Sequence, residues 1–310
     1  MKFEHKPVLL NEVLTGLDIK PSGVYVDCTI GGAGHSIEIL KRLNKNGFLY
    51  GFDRDQNAID ASSERLKNFD NFKIIKSNFN DAKQELLKLG VTKVDGILID
   101  LGVSSHQIDE GARGFSFLHD GPLDMRMDKE QDFCAYDVVN SYPAEKLTKI
   151  LFEYGEEANA KKIAQNIVLA RKIKPIETTF ELRDIIENSF PKKVIFTKGG
   201  VSKKTFQAIR IEVNQELEKL YETVLNLSTL LNKKGRFAII SFHSLEDRIV
   251  KNAFKELTTD CICPPKTPIC ICGHKAQGVL VNKKPITASE KELKENSRSS
   301  SAKLRVFEKN

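Results

Sequence analysis

Apolar and polar positions come in alternating blocks along the first hundred residues. Short apolar runs near Val24–Cys28, Phe48–Phe52, Phe72–Ser77 and Val94–Asp100 predict buried strands. Between them, Ser36–Leu43, Gln56–Leu66 and Asp81–Leu89 carry apolar residues at helical spacing. Such alternation implies a parallel sheet with right-handed crossovers. The strands end in Asp27, Asp53, Asn78 and Asp100, on the carboxyl edge where open parallel sheets bind ligands. From about Glu110 to Arg210 only helical patterns remain, at Ala144–Tyr154, Glu157–Ile173 and Thr179–Asn188, punctuated by Pro143, Pro175 and Pro191. Lys203 to Leu231 reads as one long amphipathic helix. The α/β pattern then resumes with a strand over Gly235–Ser241, a helix over Leu245–Leu257, and two strands at Val279–Asn282 and Leu304–Glu308. The expected organisation is an α/β domain formed by residues 1–109 and 211–310, interrupted by an all-helical domain at 110–210.

Composition narrows the class without choosing a function. The 310 residues are 40% hydrophobic and 29% charged, values ordinary for a globular protein with a real core. No uncharged apolar run approaches the roughly 18 residues of a membrane span. The first residues, Met1 to Pro7, lack a signal-peptide core. A cytoplasmic protein with no membrane partner is expected. The net charge of +6 permits a polyanionic partner.

The stretch Val26-Asp27-Cys28-Thr29-Ile30-Gly31-Gly32-Ala33-Gly34-His35 carries the most chemistry. A strand runs into a glycine turn and a helix, and Asp53 closes the next strand. Glycines let the backbone approach a ligand, and an acid at that place accepts hydrogen bonds from ribose hydroxyls, so the pattern suits a nucleoside cofactor. A dinucleotide fingerprint requires Gly or Ala where this chain has Ile37. Asp27, just before the turn, is poorly placed for a pyrophosphate but suits the cationic amino-acid end of S-adenosylmethionine. The residues therefore favour an S-adenosylmethionine site.

Six cysteines are unevenly spread. Cys28 and Cys134 stand alone, whereas Cys261-x-Cys263 and Cys270-x-Cys272 form two close pairs with His274 nearby. In a cytosolic chain such pairs suggest metal before disulfide. Their C-x-C spacing differs from the common C-x-x-C knuckle, and a loop of reduced thiols is the alternative. Pro264, Pro265 and Pro268 fit a stiff loop between the pairs. No metal ligand is assigned in the active site. Asn188 to Ile211 contains no acid but holds Lys192, Lys193, Lys198, Lys203, Lys204 and Arg210 around Gly199-Gly200. A flexible basic loop of this kind suits phosphate contacts, and a solvated surface is the bland alternative.

Several long stretches resemble one family. They are His5-Lys6-Pro7-Val8-Leu9-Leu10-Asn11-Glu12, the glycine turn, Asp100-Leu101-Gly102-Val103-Ser104-Ser105, Arg113-Gly114-Phe115-Ser116-Phe117, the run from Asp120 to Asp128, Thr205-Phe206-Gln207-Ala208-Ile209-Arg210, and the run from Ser241 to Arg248. Together they resemble the RsmH (MraW) family of bacterial small-subunit ribosomal RNA methyltransferases, nearly end to end. The resemblance implies a Rossmann-like class I S-adenosylmethionine methyltransferase fold with an inserted all-helical domain. It implies methylation of the exocyclic N4 of a decoding-centre cytosine in 16S rRNA, within the 30S subunit. It also implies cofactor contacts from Ala33, Gly34 and His35 in the turn, Asp53 at the ribose, Phe79 beside the adenine, and Asp100 and Gln107. Two features depart from or vary within the family pattern. Asn296-Ser297-Arg298-Ser299-Ser300-Ser301 lacks the proline and second arginine usual near the C-terminus, which weakens an RNA contact by this tail, and the cysteine pairs occur in only part of the family.

Methylating a cytosine amine demands that N4 be held with its lone pair aimed at the methyl carbon. The amine is conjugated with the ring, so acceptors for its protons help to localise that lone pair. Other amino-methyltransferases place an Asp/Asn/Ser-Pro-Pro-aromatic motif after the fourth strand; here Asp100-Leu101-Gly102-Val103-Ser104 occupies that position. Asp100 is the expected polar anchor, with Ser104 and His243 as further catalytic candidates. His243 reads equally as a local helix-start residue, and Phe242 as core. Three other readings remain. A protein or small-molecule methyltransferase is disfavoured by the acid-free basic stretch, and a non-catalytic RNA-binding module by the intact turn with Asp53. A nicotinamide oxidoreductase is disfavoured by Ile37 and Asp27.

Overall fold

The computed structural model describes residues 7–195, 200–264 and 269–310. Lys198 and Gly199 of the basic stretch, Pro265 and Pro268 of the cysteine loop, and His5 and Lys6 of the N-terminal motif lie outside the described residues. The chain divides into two compact units, one of residues 1–102 with 217–310 and one of residues 103–216.

The first unit is built on seven strands: β1 (Val24–Asp27), β2 (Phe48–Asp53), β3 (Phe72–Lys76), β4 (Val94–Asp100), β5 (Leu231–Ser241), β6 (Gly278–Leu280) and β7 (Lys303–Lys309). They form one sheet in the order β3-β2-β1-β4-β5-β7-β6. The first five are parallel, whereas β7 runs antiparallel to both β5 and β6. This is a Rossmann-like α/β sheet, and the order reverses at β1, so β1 and β4 flank the switch point at which such sheets bind ligands.

Side-chain alternation explains why both faces are covered. Val26, Ile97, Ile99, Phe237 and Ile239 point to one face, under the helices Leu220–Ser228 and Ser244–Leu257. Tyr25, Leu98, Ala238 and Ile240 point to the other, with residues of the helices Leu10–Leu17 and Gly34–Leu40. Complete burial of each large aliphatic or aromatic side chain contributes about 1.5–3 kcal/mol, and both layers are dense in such residues. The strand β5 begins at Leu231, four residues before the apolar run at Gly235. Its first part is irregular, with a register shift opposite Val94 and Gly96 and Lys234 at φ 62°.

The second unit is helical around Leu147, Leu151, Ile163, Ile167, Leu182, Phe206 and Ile209. Its helices are Ser105–Asp109, Ala135–Ser141, Ala144–Glu153, Ala160–Arg171, Thr179–Glu187, Lys192–Ile195 and Lys203–Asn214. Thr178 starts one of them with a reciprocal capping box to Glu181. The single helix expected over Lys203 to Leu231 is a misreading. It stops at Asn214, where Gln215 takes a left-handed conformation at φ 50°, and a separate helix begins at Leu220. Asn214 reinforces the break by donating through Nδ2 to the carbonyls of Met125 (2.7 Å) and Arg210 (2.9 Å). No helix among the described residues is long and apolar enough to cross a membrane.

Candidate active site

The glycine turn after β1 is held from three sides. Ile30 N–H donates to the Phe52 carbonyl (2.8 Å) and Gly31 N–H to Asp53 Oδ2 (3.0 Å), which ties the turn to the end of β2. Arg65 Nη1 donates to the Gly32 carbonyl. A Cβ on Gly34 would lie 2.5 Å from Pro7 Cγ, so only glycine fits beneath that proline. Ala33 is fully buried at φ 58°, its N–H on Ile30 and its carbonyl on Ile37, so it shapes the turn from within. The accessible rim is Gly31, Gly32 and Gly34.

Asp53 accepts from Gly31 N–H through Oδ2 and from Asp55 N–H through Oδ1 (2.9 Å). An ionised carboxylate has about four acceptor positions, so two engaged ones leave room for ribose hydroxyls. Burial raises its pKa to about 6, against the lowering effect of those two backbone bonds.

Asp27 is placed differently from the sequence expectation. It is buried, and its oxygens accept from the Ser36 hydroxyl (2.7 Å) and Thr29 N–H (3.2 Å). Those bonds fasten the turn to the following helix rather than present a free carboxylate to a ligand. Burial also raises its pKa to about 6.

Asp100, closing β4, differs again. Its backbone N–H donates to Thr29 Oγ1 (2.7 Å), which fixes it against the glycine turn. Its Oδ2 lies 3.9 Å from His35 Nδ1, and its Oδ1 is buried without a hydrogen-bond partner. Burial, then the negative charges of Asp27 and Glu246, hold its pKa well above the carboxylate range. His35 is itself neutral near pH 7, because burial lowers its pKa to about 4. Its Nε2 donates to the Val8 carbonyl (2.9 Å), which turns the Nδ1 lone pair towards Asp100. Asp27 and Glu246 thus place negative potential around Asp100 at this end of the sheet, a field that favours a cationic ligand.

Phe79 opens the short 3₁₀ turn Phe79–Asp81 beyond β3 and packs, half-buried, on the sheet. Asn78 caps that turn by accepting from Asn80 N–H (3.0 Å). His243, after β5, caps the helix Ser244–Leu257: Nδ1 accepts from Glu246 N–H (3.4 Å) and Nε2 lies 3.1 Å from Glu246 Oε1. Glu246, almost fully buried, accepts in return from the N–H groups of Phe242 (2.8 Å) and His243 (3.2 Å) through Oε2. His243 thus starts the helix as a cap, while its Nε2 is buried without a hydrogen-bond partner among the described residues. In the second unit, Ser104 Oγ accepts from Gln107 N–H (3.2 Å) and Gln107 Oε1 accepts from Ser104 N–H (2.9 Å), again a capping box. There too, Lys192, Lys193 and Lys203 are exposed, Lys204 donates to the Glu156 carbonyl, and Arg210 is spent on a two-pronged ion pair with Glu216 (2.8 and 2.9 Å).

The structure therefore joins the turn, Asp53, His35 and Asp100 by direct contacts around Thr29. Sequence reasoning missed Thr29, Ser36 and Glu246. Glu246 was signalled by its capping-box spacing three residues beyond His243.

The family described as the MraW methylase family matches residues 2–310. The chain is 55% identical over 310 residues to the ribosomal RNA small subunit methyltransferase H of Clostridioides difficile strain 630, covering all of both chains. It is 52% identical over 311 residues to the protein of the same name from Finegoldia magna, covering all of this chain and 99% of that one. Among solved structures, a SAM-dependent O-methyltransferase from Thermotoga maritima aligns with a TM-score of 0.42 and 7% identity, over 99% of this chain and 67% of that one.

Proposed function

Because the chain belongs to the MraW methylase family, we propose that it methylates ribosomal RNA of the small subunit at the exocyclic N4 of a decoding-centre cytosine in 16S rRNA. S-adenosylmethionine is the cofactor, and when bound it supplies an electrophilic methyl group on a sulfonium. The donor set fits that group. The acids at the carboxyl edge favour its positive charge, the Gly31–Gly34 rim admits it closely, and Asp53 keeps acceptor capacity for ribose.

The observation that carries the reading is the orphaned Oδ1 of Asp100. A buried carboxyl oxygen without a partner costs about 1–3 kcal/mol, a penalty that a ligand donating a hydrogen bond relieves. An exocyclic amine is such a donor. A cation nearby lowers the Asp100 pKa and returns it to the acceptor form. Accepting an N4 proton then localises the lone pair on N4 and holds it in line for attack. His243 and Ser104 act at one remove, as caps that position the backbone after β5 and after β4. Ala33, Gly34, His35, Phe79 and Gln107 complete the cofactor set, with Ala33 shaping the turn rather than touching the ligand. The exposed Lys192, Lys193 and Lys203 suit phosphate contacts, which orient an RNA without reading its sequence. The target base leaves its stack to reach the acid, as bases do for other base-modifying enzymes.

The test is methyl transfer from labelled S-adenosylmethionine to 30S subunits lacking the modification, followed by nucleoside mass spectrometry. N4-methylcytidine from the wild type, and none from Asp100→Ala, is the expected result. Label in a different nucleoside, or none in RNA despite cofactor binding, refutes the proposed target.

A further inference from the structure

The two cysteine pairs lie far along the chain from the residues assigned to methyl transfer, on the loop between the helix Ser244–Leu257 and β6. The loop closes on itself: Gln277 N–H donates to the Leu257 carbonyl (2.7 Å), Ala276 N–H to Asp260 Oδ1 (3.2 Å), and His274 Nε2 to the Glu256 carbonyl (2.9 Å). Yet no apolar cluster fills it among its described residues. Ile262, Ile269 and Ile271 are 50%, 76% and 85% exposed. The side chains that converge are Cys261, Cys263, Cys270 and Cys272, whose sulfurs all lie within 4.8 Å of one another.

The sulfur spacing is diagnostic. Cys261–Cys270 is 3.4 Å, Cys270–Cys272 3.5 Å, Cys261–Cys272 3.8 Å and Cys263–Cys270 4.0 Å. A disulfide would need about 2.05 Å. Four thiolates at about 2.3 Å from a tetrahedral zinc ion stand about 3.8 Å apart. The C-x-C spacing, unusual for a knuckle, still lets each arm bring both of its sulfurs into the cluster while Ile262 and Ile271 stay exposed. Backbone N–H groups support the sulfurs: Cys263 donates to Cys261, while Ile262 and His274 both donate to Cys272. Gly273, at φ 61°, supplies the left-handed turn between Cys272 and His274. Bonds from the backbone to coordinating sulfur are the outer-shell support that thiolate metal sites use.

We propose that Cys261, Cys263, Cys270 and Cys272 form a closed tetrahedral zinc site that takes the place of a hydrophobic core in this loop. All four positions are filled by sulfur, which makes the site structural rather than catalytic. His274, engaged by the Glu256 carbonyl, is a support and not a ligand.

The full chain, purified without chelator and under reducing conditions, is expected to carry about one zinc per chain by elemental mass spectrometry. Cobalt(II) added to the stripped protein should give the intense visible bands of tetrahedral cobalt thiolate. Cys261→Ser and Cys272→Ser should each weaken zinc binding by more than about 100-fold, whereas Cys134→Ser keeps it. If a serine variant fails to fold, stepwise mercuration of the wild type gives the same information, with zinc release expected to track the loss of four thiols. Iron in place of zinc, octahedral cobalt, zinc binding that depends on Cys134, or four free thiols that take up no metal overturns the proposal.

Discussion

Asp27 and Asp100 close the neighbouring strands β1 and β4, but only Asp27 has a hydrogen bond on each of its side-chain oxygens. Ser36 and Thr29 each donate to Asp27, whereas Oδ1 of Asp100 has no donor among the described residues. Burial raises both pKa values, so the shift alone does not separate them. Satisfaction does: a buried acid with its partners in place is a structural fastening, and one without them awaits a ligand.

The largest effect expected from this contrast is on turnover. Asp100→Ala should lower the rate of RNA methylation by about 100-fold or more, with the urea midpoint unchanged or slightly raised because an unpaired buried group is removed. A comparable loss of activity and stability together would make Asp100 a second fastening. Asp27→Ala should do the reverse, costing about 1–3 kcal/mol in urea unfolding by stranding the Ser36 hydroxyl and the Thr29 N–H. Ser36→Ala tests the same bond from the other side.

Asp53 stands between the two, half-engaged. Asp53→Ala should weaken cofactor binding by about 1–3 kcal/mol in calorimetry, and unchanged affinity removes it from the site.

A smaller effect concerns pH. Asp27 and Asp53, raised to about 6, hold protons in the folded protein that the unfolded chain releases above about pH 4. Their contribution to cofactor-free stability is full at low pH and is lost as pH rises through about 6. Asp100, raised further, extends that fall to higher pH. His35, lowered to about 4, has the opposite sign and costs stability as pH falls from about 6.5 towards 4. The unfolding free energy of the cofactor-free protein should therefore fall between about pH 4 and pH 6, by up to about 1.4 kcal/mol per pH unit for each retained proton and partly offset by His35, and above about pH 6 it should go on falling through Asp100 alone. Asp100→Asn should flatten this decline, and an unchanged slope contradicts the burial of Asp100.

The sheet was legible because its strands are apolar runs separated by amphipathic helices, and that pattern is local. The break at Gln215 was not, because neither glycine nor proline marks it; the left-handed turn is stabilised by Asn214 reaching back to Met125 across the helical unit. The irregular start of β5 was hidden for a related reason, since Asn232, Lys233 and Lys234 carry no apolar pattern and lie between the pairs Val94–Leu231 and Gly96–Arg236 without a partner in the register. Within the site, the turn and its two flanking acids could be named from spacing. What each acid does could not, because the distinction rests on the Ser36 hydroxyl nine residues from Asp27 and on Asp100 Oδ1 having no hydrogen-bond partner among the described residues. The cysteine spacing left both metal and free thiols open, and it is the convergence of the two arms that favours metal.

The sheet order also dictates a sequence of folding events. Strands β1 to β4 are complete within one hundred residues and can pair as soon as they leave the ribosome, whereas β4 must wait for β5, with Ile97 meeting Phe237. The antiparallel β7 then has to enter between β5 and β6. Contacts of such long sequence separation form slowly and leave an apolar edge exposed meanwhile. In the nascent chain the open side of β4, the strand that ends in Asp100, is therefore the place most in need of protection from aggregation until the helical unit has been made and β5 arrives.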